Sequence, residues 1–224
     1  HTACRRQRQM CIRDRLKREL DYMITLKAAY QKDLLDKESE YLALTQLLLL
    51  NNNPYWAAKV LEAGRVKKVP IVDEKTKEEK IVPVVKDNEK NLKLLADAWR
   101  MAQEIELAIP IMEKAAKLAK DGQTFIILGS LYLSEDKLEE AVDAIEQGLK
   151  KGKVKSASQA RLTLGQAHFE LQNFEQAKKE FRIAARDDDK KIKRTANNWI
   201  KYTENEEIRV KNIALRRDYI QSQG

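Results

Sequence analysis

Apolar residues recur three and four positions apart along almost the whole chain, which is the spacing of one face of an α-helix. Glycine and proline, which interrupt helices, are sparse, with 7 and 4 residues among 224. Alanine, leucine, lysine and glutamate, which favour helices, are abundant. The pattern therefore predicts an all-α protein with many helices and short connections.

Small and large residues also recur at a longer, nearly fixed period. Gly129 and Gly165 are 36 residues apart, and a weaker unit of the same kind lies between residues 41 and 64. In each clear unit a small residue is followed, after 12 positions, by an alanine. These pairs are Ala96 and Ala108, Gly129 and Ala141, and Gly165 and Ala177.

This pattern resembles that of the tetratricopeptide repeat (TPR) family, whose repeat of about 34 residues is a pair of antiparallel helices. Small side chains let the two helices approach closely, while Trp99, Tyr132 and Phe181 are large enough to fill the space between hairpins. One hairpin cannot bury its apolar face alone, so neighbouring hairpins must stack. The resemblance implies a right-handed superhelix of three to four hairpins over residues 37–188.

The segments on either side of this array are also predicted to be helical. Residues 16–36 resemble the second helix of an upstream repeat that has been truncated. Residues 189–224 are interpreted as a capping helix with a polar tail, because a solenoid needs a last helix with a polar outer face. Trp199, Ile200 and Tyr202 have the spacing to pack this helix on the last repeat.

One irregularity interrupts the array. Ala57 and Ala108 are 51 residues apart, which exceeds the repeat by roughly 17 residues. The extra residues lie within 67–88, where residues 69–72 and 81–85 are rich in valine and isoleucine and flank a polar stretch. We expect a small β-hairpin there, and a loop without regular structure is the alternative.

The first residues have a composition unlike the rest. Residues 5–14 have the sequence obtained by translating a transposase adapter of sequencing libraries, so residues 1–15 are interpreted as translated adapter. The alternative is a natural basic arm. Without this segment the basic residues fall from 43 to 38 and the acidic ones from 35 to 34, and the net charge falls from +8 to +4. A signal peptide is then expected upstream.

The remaining chain offers little chemistry for catalysis or metal binding. Both cysteines, Cys4 and Cys11, belong to the adapter, so we expect no disulfide and no cysteine-bound metal. His168 is the one histidine left, and the TPR resemblance implies that it stands at a packing position. The acidic run at residues 187–189 precedes a helix and is interpreted as its N-cap rather than a Ca²⁺ site. We predict no enzyme, no cofactor and no metal.

Nucleic acid and a membrane span are not expected either. The lysine clusters at 150–155 and 190–194 have no interleaved aromatic residues, which single-stranded nucleic acid would require for base stacking. The apolar run Leu47–Leu50 is far shorter than a membrane-spanning segment.

The TPR resemblance also implies a binding groove lined by the first helix of each hairpin. The groove positions lack the Lys, Asn and Arg arrangement of TPR carboxylate clamps, so a chaperone-tail ligand is not expected. Leu133 and Phe169 could form an apolar anchor for a partner, and packing against neighbouring helices is the alternative. The groove positions are Leu42, Gln46, Leu49, Lys93, Asp97, Arg100, Gln123, Ile126, Ser130, Leu133, Gln159, Leu162, Gln166 and Phe169.

Four segments, residues 53–61, 89–102, 148–153 and 198–202, resemble a bacterial TPR group described as part of the TonB energy-transduction system. This resemblance implies a periplasmic protein with TonB, ExbB or ExbD as partners. A cytoplasmic TPR regulator or assembly chaperone is the alternative. An enzyme with a TPR appendage is a third class, and its catalytic domain would precede residue 15.

Overall fold

The structure is a computed structural model that describes residues 18–72 and 79–222. The adapter predicted at residues 1–15 lies outside the described residues. The chain divides into two compact units, His1–Ile111 and Met112–Gly224.

Ten helices and one two-stranded sheet form the part of the chain that the structure describes. Eight of the helices pair in sequence as four hairpins, which confirms the predicted all-α TPR class. The elements are α1 (18–31), α2 (Glu38–Leu50), α3 (Pro54–Val66), β1 (Lys68–Val72), β2 (Glu79–Pro83), α4 (Glu89–Met101), α5 (Ile105–Leu118), α6 (Gln123–Ser134), α7 (Leu138–Lys151), α8 (Ala157–Glu170), α9 (Phe174–Ala184) and α10 (Lys190–Ser222).

The turn inside each hairpin has the same local geometry. The N–H of Asn53 donates to the carbonyl of Leu48 at 2.9 Å, and Asn173 donates to His168 at 2.8 Å. This 6→1 bond, with a left-handed residue before the donor, is the Schellman end of an α-helix. The repeat seen in the sequence is therefore a repeat of backbone geometry as well. The left-handed residues are Asn52, Gln103, Asp136 and Gln172.

Close approach within a hairpin explains the small residues. A Cβ added to Gly165 would lie 2.5 Å from Cε1 of Phe181, so the α8/α9 hairpin has no room for a side chain there. Ala141 and Ala177, the alanines of the last two hairpins, have no exposed surface. Packing of the helices therefore requires small residues at these positions, as the sequence pattern predicted.

The insertion forms the predicted β-hairpin. β1 and β2 are antiparallel, with Val69 opposite Val82. The following residues join the hairpin to α3, because Val85 N–H donates to the Gly64 carbonyl at 2.9 Å. Asp87 also pairs with Arg65, with Nη2 and Oδ2 2.7 Å apart. These contacts hold the insertion against the end of α3, although Pro70 and Pro83 would interrupt longer strands.

The long helix α10 packs against the last hairpin through its first half. Ala196 joins a buried cluster with Leu162 and Phe181, and Trp199 stacks on Phe181 with ring centroids 5.5 Å apart. At its start, Oδ1 of Asp189 accepts a hydrogen bond from Lys191 N–H at 2.7 Å. The acidic run therefore caps the helix, as predicted.

Candidate functional site

Within residues 112–222, the first helices of the two hairpins, α6 and α8, contact each other. We call their outer side the A face, and it contains six of the predicted groove residues. The loop before α8 is tied to the start of α6, because Lys155 N–H donates to Oε1 of Gln123 at 2.9 Å. Ser130 and Gln159 are exposed and the other four are half-buried. The A face consists of Gln123, Ser130, Leu133, Gln159, Gln166 and Phe169.

Two predicted groove residues of this unit lie in the interior instead. Ile126 clusters with Ile145 and Leu164, and Leu162 clusters with Phe181. Both side chains are buried because each lies on the side of its helix that meets the next elements of the fold. Ile126 and Leu162 therefore lie in the interior beneath the A face and do not form part of its surface.

Leu133 and Phe169, the predicted anchor pair, are half-buried. Leu133 packs against the cluster that contains Ile126. The Phe169 ring lies 5.6 Å from that of Trp199 and 5.2 Å from that of Tyr202. Both side chains thus make the packing contacts that the alternative interpretation expected, while each keeps part of its surface exposed.

The sequence pattern placed Tyr202 in the packing of α10, yet its side chain is 54% exposed. It lies beside Phe169 and Trp199, whose centroids are 5.2 and 5.7 Å from its own. We call these three rings the aromatic edge. Aromatic rings that pack on one another and keep part of their surface exposed offer a large, rigid contact surface to another protein.

In the unit formed by residues 18–111, the predicted groove residues lie on α2 and α4. Gln46 and Arg100 are exposed. The Arg100 guanidinium lies 3.4 Å from Oδ1 of Asp97, one turn earlier on α4. This is an exposed ion pair, which contributes little to stability and leaves both charges accessible. The remaining four predicted groove residues of this unit are half-buried, and they are Leu42, Leu49, Lys93 and Asp97.

A depression of about 330 Å³, which the sequence pattern did not predict, lies between α6, α7 and the end of α5. The Tyr132 hydroxyl donates to Oε1 of Glu113 at 2.5 Å. Burial and the neighbouring Glu113 carboxylate raise the pKa of Tyr132, so the phenol stays protonated. Tyr132 therefore acts as a hydrogen-bond donor that fixes Glu113, and a nucleophilic phenolate is disfavoured.

His168 is half-buried on α8, in agreement with its predicted packing role. Its Nδ1 is buried and has no hydrogen-bond partner among the described residues. Burial lowers the pKa of the ring, against the opposing effect of Glu146 and Glu180. The imidazole is therefore neutral near pH 7.

The described residues contain no group of three or more His, Cys, Asp or Glu side chains arranged to hold a metal ion. Among the helices in residues 18–72 and 79–222, none combines the length and apolar character needed to cross a bilayer.

The helices α8 and α9 match a known repeat. Residues 158–185 match the sequence profile of the tetratricopeptide repeat family. The chain contains a tetratricopeptide repeat. The matched residues include Gly165, Ala177 and Phe181, which carry the close packing of this hairpin. The profile covers one TPR hairpin, and the turns and spacing described above show the same construction in the others.

Solved TPR structures have a similar fold. The crystal structure of YrrB, described as a TPR protein with an unusual peptide-binding site, matches with a TM-score of 0.62 and 15% identity, covering 83% of this chain and 86% of that one. MamA from Desulfovibrio magneticus RS-1 matches with a TM-score of 0.59 and 16% identity, covering 84% of this chain and 95% of that one. At these identities the likeness concerns the fold.

A relative in sequence is the protein CTR9 homolog of Arabidopsis thaliana. It is 34% identical to this chain over 113 residues. The match covers 49% of this chain and 10% of the relative, so the chain spans a small part of that protein's length.

Proposed function

We propose that this chain is a protein-binding TPR scaffold and an accessory component of a bacterial TonB energy-transduction system in the periplasm. The observation that carries the scaffold function is the A face with its aromatic edge. There the exposed Tyr202 ring adjoins Phe169, and Gln166 lies one helical turn away on α8. Aromatic rings bind apolar side chains, and amide side chains can both donate to and accept from a peptide backbone.

The TonB assignment is supported by the four segments that resemble the TonB-associated group. Residues 53–61 contain the first part of α3 and residues 89–102 contain all of α4, and these two helices pack against each other in one unit. Residues 198–202 contain Trp199 and Tyr202 of the aromatic edge. The resemblance therefore includes residues of the candidate surface as well as packing positions.

A peptide-display selection against the full chain tests the scaffold function. We expect enriched peptides whose affinity falls at least about tenfold in the Gln159→Ala/Gln166→Ala variant. The matched control, Glu146→Ala/Lys179→Ala, changes two exposed residues on the second helices of the same hairpins and should bind normally. Peptides that bind all three proteins equally would argue against the A face.

Titration of the full chain with purified periplasmic domains of TonB and ExbD tests the finer assignment. Saturable binding that the Gln159→Ala/Gln166→Ala variant loses is expected. If neither domain binds although the peptide selection succeeds, the scaffold function is supported and the TonB role is contradicted.

The second candidate is a cytoplasmic TPR regulator or assembly chaperone. The 34% identity over 113 residues to a plant protein favours it, because the TonB system is bacterial. Failure of the TonB and ExbD titrations is the result that this candidate predicts.

A further inference from the structure

The helix α10 is much longer than the hairpin that holds it. It has 33 residues against 11 in α9, or about 50 Å against about 16 Å at the rise of an α-helix. Glu207 of α10 still contacts α9, because its Oε2 lies 2.8 Å from Nζ of Lys178. Beyond it, every residue of 208–222 except Val210 is exposed.

The stripe of mainly apolar side chains that docks the first half of α10 continues into this exposed half. The positions alternate three and four residues apart, which is the seam of a two-helix coiled coil. Ile192, Ala196 and Trp199 of this seam pack into the cluster around Phe181. Ile213 and Ile220 continue it with 43% and 70% of their surface exposed. The seam consists of Ile192, Ala196, Trp199, Thr203, Glu206, Val210, Ile213, Arg217 and Ile220.

Charge determines which occupant fits the exposed half. Residues 208–222 contain four basic side chains and the single acidic side chain of Asp218, for a net charge of +3. Arg209 pairs with Glu206 and Lys211 with Glu207, whereas Arg216 and Arg217 have no ion pair among the described residues. A second copy would bring together two segments that each carry a net charge of +3, so an acidic partner is favoured.

The distribution of apolar residues disfavours a lipid surface. Ile208, Leu215 and Tyr219 form another stripe, about 160° around the helix from the seam at 100° per residue. The exposed residues Arg209 and Arg216 lie between the two stripes on one side. A membrane-surface helix has one continuous apolar face, and burying both stripes would bury these arginines.

We propose that the seam of residues 208–222 binds an acidic amphipathic helix of a partner protein as a two-helix coiled coil. Arg217 occupies a seam position, so the facing core position of the partner carries a glutamate or aspartate, which fixes the register. This inference rests on the proposed scaffold function. It specifies an acidic helix as the partner and places the binding site outside the A face.

The test uses a synthetic three-heptad peptide with isoleucine and leucine in its core, one core glutamate, and glutamates at the flanking positions. Titration of the full chain should give saturable binding that the Ile213→Ser/Ile220→Ser variant weakens at least about tenfold. The matched control, Ile208→Ser/Leu215→Ser, changes the other stripe and should bind normally. Circular dichroism of both variants should match that of the parent chain, because all four side chains are exposed.

Charge reversal sharpens the test. Arg217→Glu should lose the acidic peptide and bind a version whose core glutamate is lysine. Equal binding of acidic and basic peptides, or loss of binding in the Ile208→Ser/Leu215→Ser control, would overturn the inference.

Three other results would overturn it as well. One is no binding of the acidic peptide. The second is a dimer of the chain alone, in sedimentation, that Ile213→Ser/Ile220→Ser dissociates. The third is seam-dependent binding to phosphatidylcholine–phosphatidylserine vesicles. The Gln159→Ala/Gln166→Ala variant should still bind the acidic peptide, so failure of the A face and failure of the seam are distinguishable.

Discussion

The two halves of α10 carry one stripe of side chains in opposite surroundings. In the first half, Ala196 is fully buried and Trp199 stacks on Phe181. In the second half, Ile213 and Ile220 occupy the heptad position of Trp199 and are exposed to solvent. A heptad pattern therefore predicts that a helix has a contact side, and the length of the neighbouring helix decides how much of that side is covered.

The largest expected effect comes from removing the ring that docks the first half. Trp199→Ala deletes contacts with Phe181 and Phe169 and should lower the free energy of unfolding by about 3 kcal/mol. Urea unfolding followed by circular dichroism measures this loss. Ile213→Ala, in the second half, should change it by less than about 0.5 kcal/mol. Similar losses in both variants would mean that the two halves are packed alike.

The next effect concerns the ion pairs where the two halves meet. Lys178→Met removes a nearly buried ammonium that contacts Glu175 and Glu207, and should cost about 1.5 kcal/mol. Lys211→Met removes the other partner of Glu207, which is 69% exposed, and should cost at most about 0.5 kcal/mol. Urea unfolding of both variants measures these losses. A larger loss for Lys211→Met would contradict the position of the boundary between the docked and the exposed half of α10.

Low pH should weaken the ion pairs that Glu207 makes with Lys178 and Lys211. Hydrogen bonds from Lys178 and Lys211 lower the pKa of Glu207 to about 2, from an unfolded value of about 4.3. The stabilisation is therefore complete above the unfolded pKa and is lost as the pH falls through the folded pKa. The protection of amides near Glu207, measured relative to the intrinsic exchange rate at each pH, should fall between about pH 4 and pH 2. The Glu207→Gln variant should show a weaker dependence, and an unchanged one would contradict this role.

The smallest effect on stability is expected at the exposed seam. Ile213→Ser/Ile220→Ser should unfold within about 0.5 kcal/mol of the parent chain, because both residues already face water. The same variant should lose the acidic peptide. A stability loss as large as that of Trp199→Ala would show that the second half is covered within the folded chain.

Sequence periodicity predicted most of the fold because the TPR hairpin constrains individual residue types. Gly165 faces Phe181 within one hairpin, so a small residue on the first helix is matched by a large residue on the second. Such a matched pair can be recognised in the sequence. The β-hairpin was also predictable, since its valines and isoleucines flank a polar turn. These signals are local in sequence and need no knowledge of distant contacts.

The candidate site was less predictable because its residues depend on contacts between helices. Ile126 and Leu162 have groove positions in the repeat, but neighbouring elements cover them. The surroundings of the exposed Tyr202 ring and the ion pair between Lys178 and Glu207 both depend on contacts between residues that are far apart in sequence. Only the placement of α10 against α8 and α9 brings these groups together.

Amide hydrogen exchange along α10 of the full chain, with and without the acidic peptide, tests most directly whether the repeats present a helix for a partner protein. We predict protected amides in residues 192–203 under both conditions. Residues 208–222 should exchange rapidly in the free chain and become protected when the peptide is added. Protection of residues 208–222 without the peptide, or no change on its addition, would contradict a binding surface on this half of the helix.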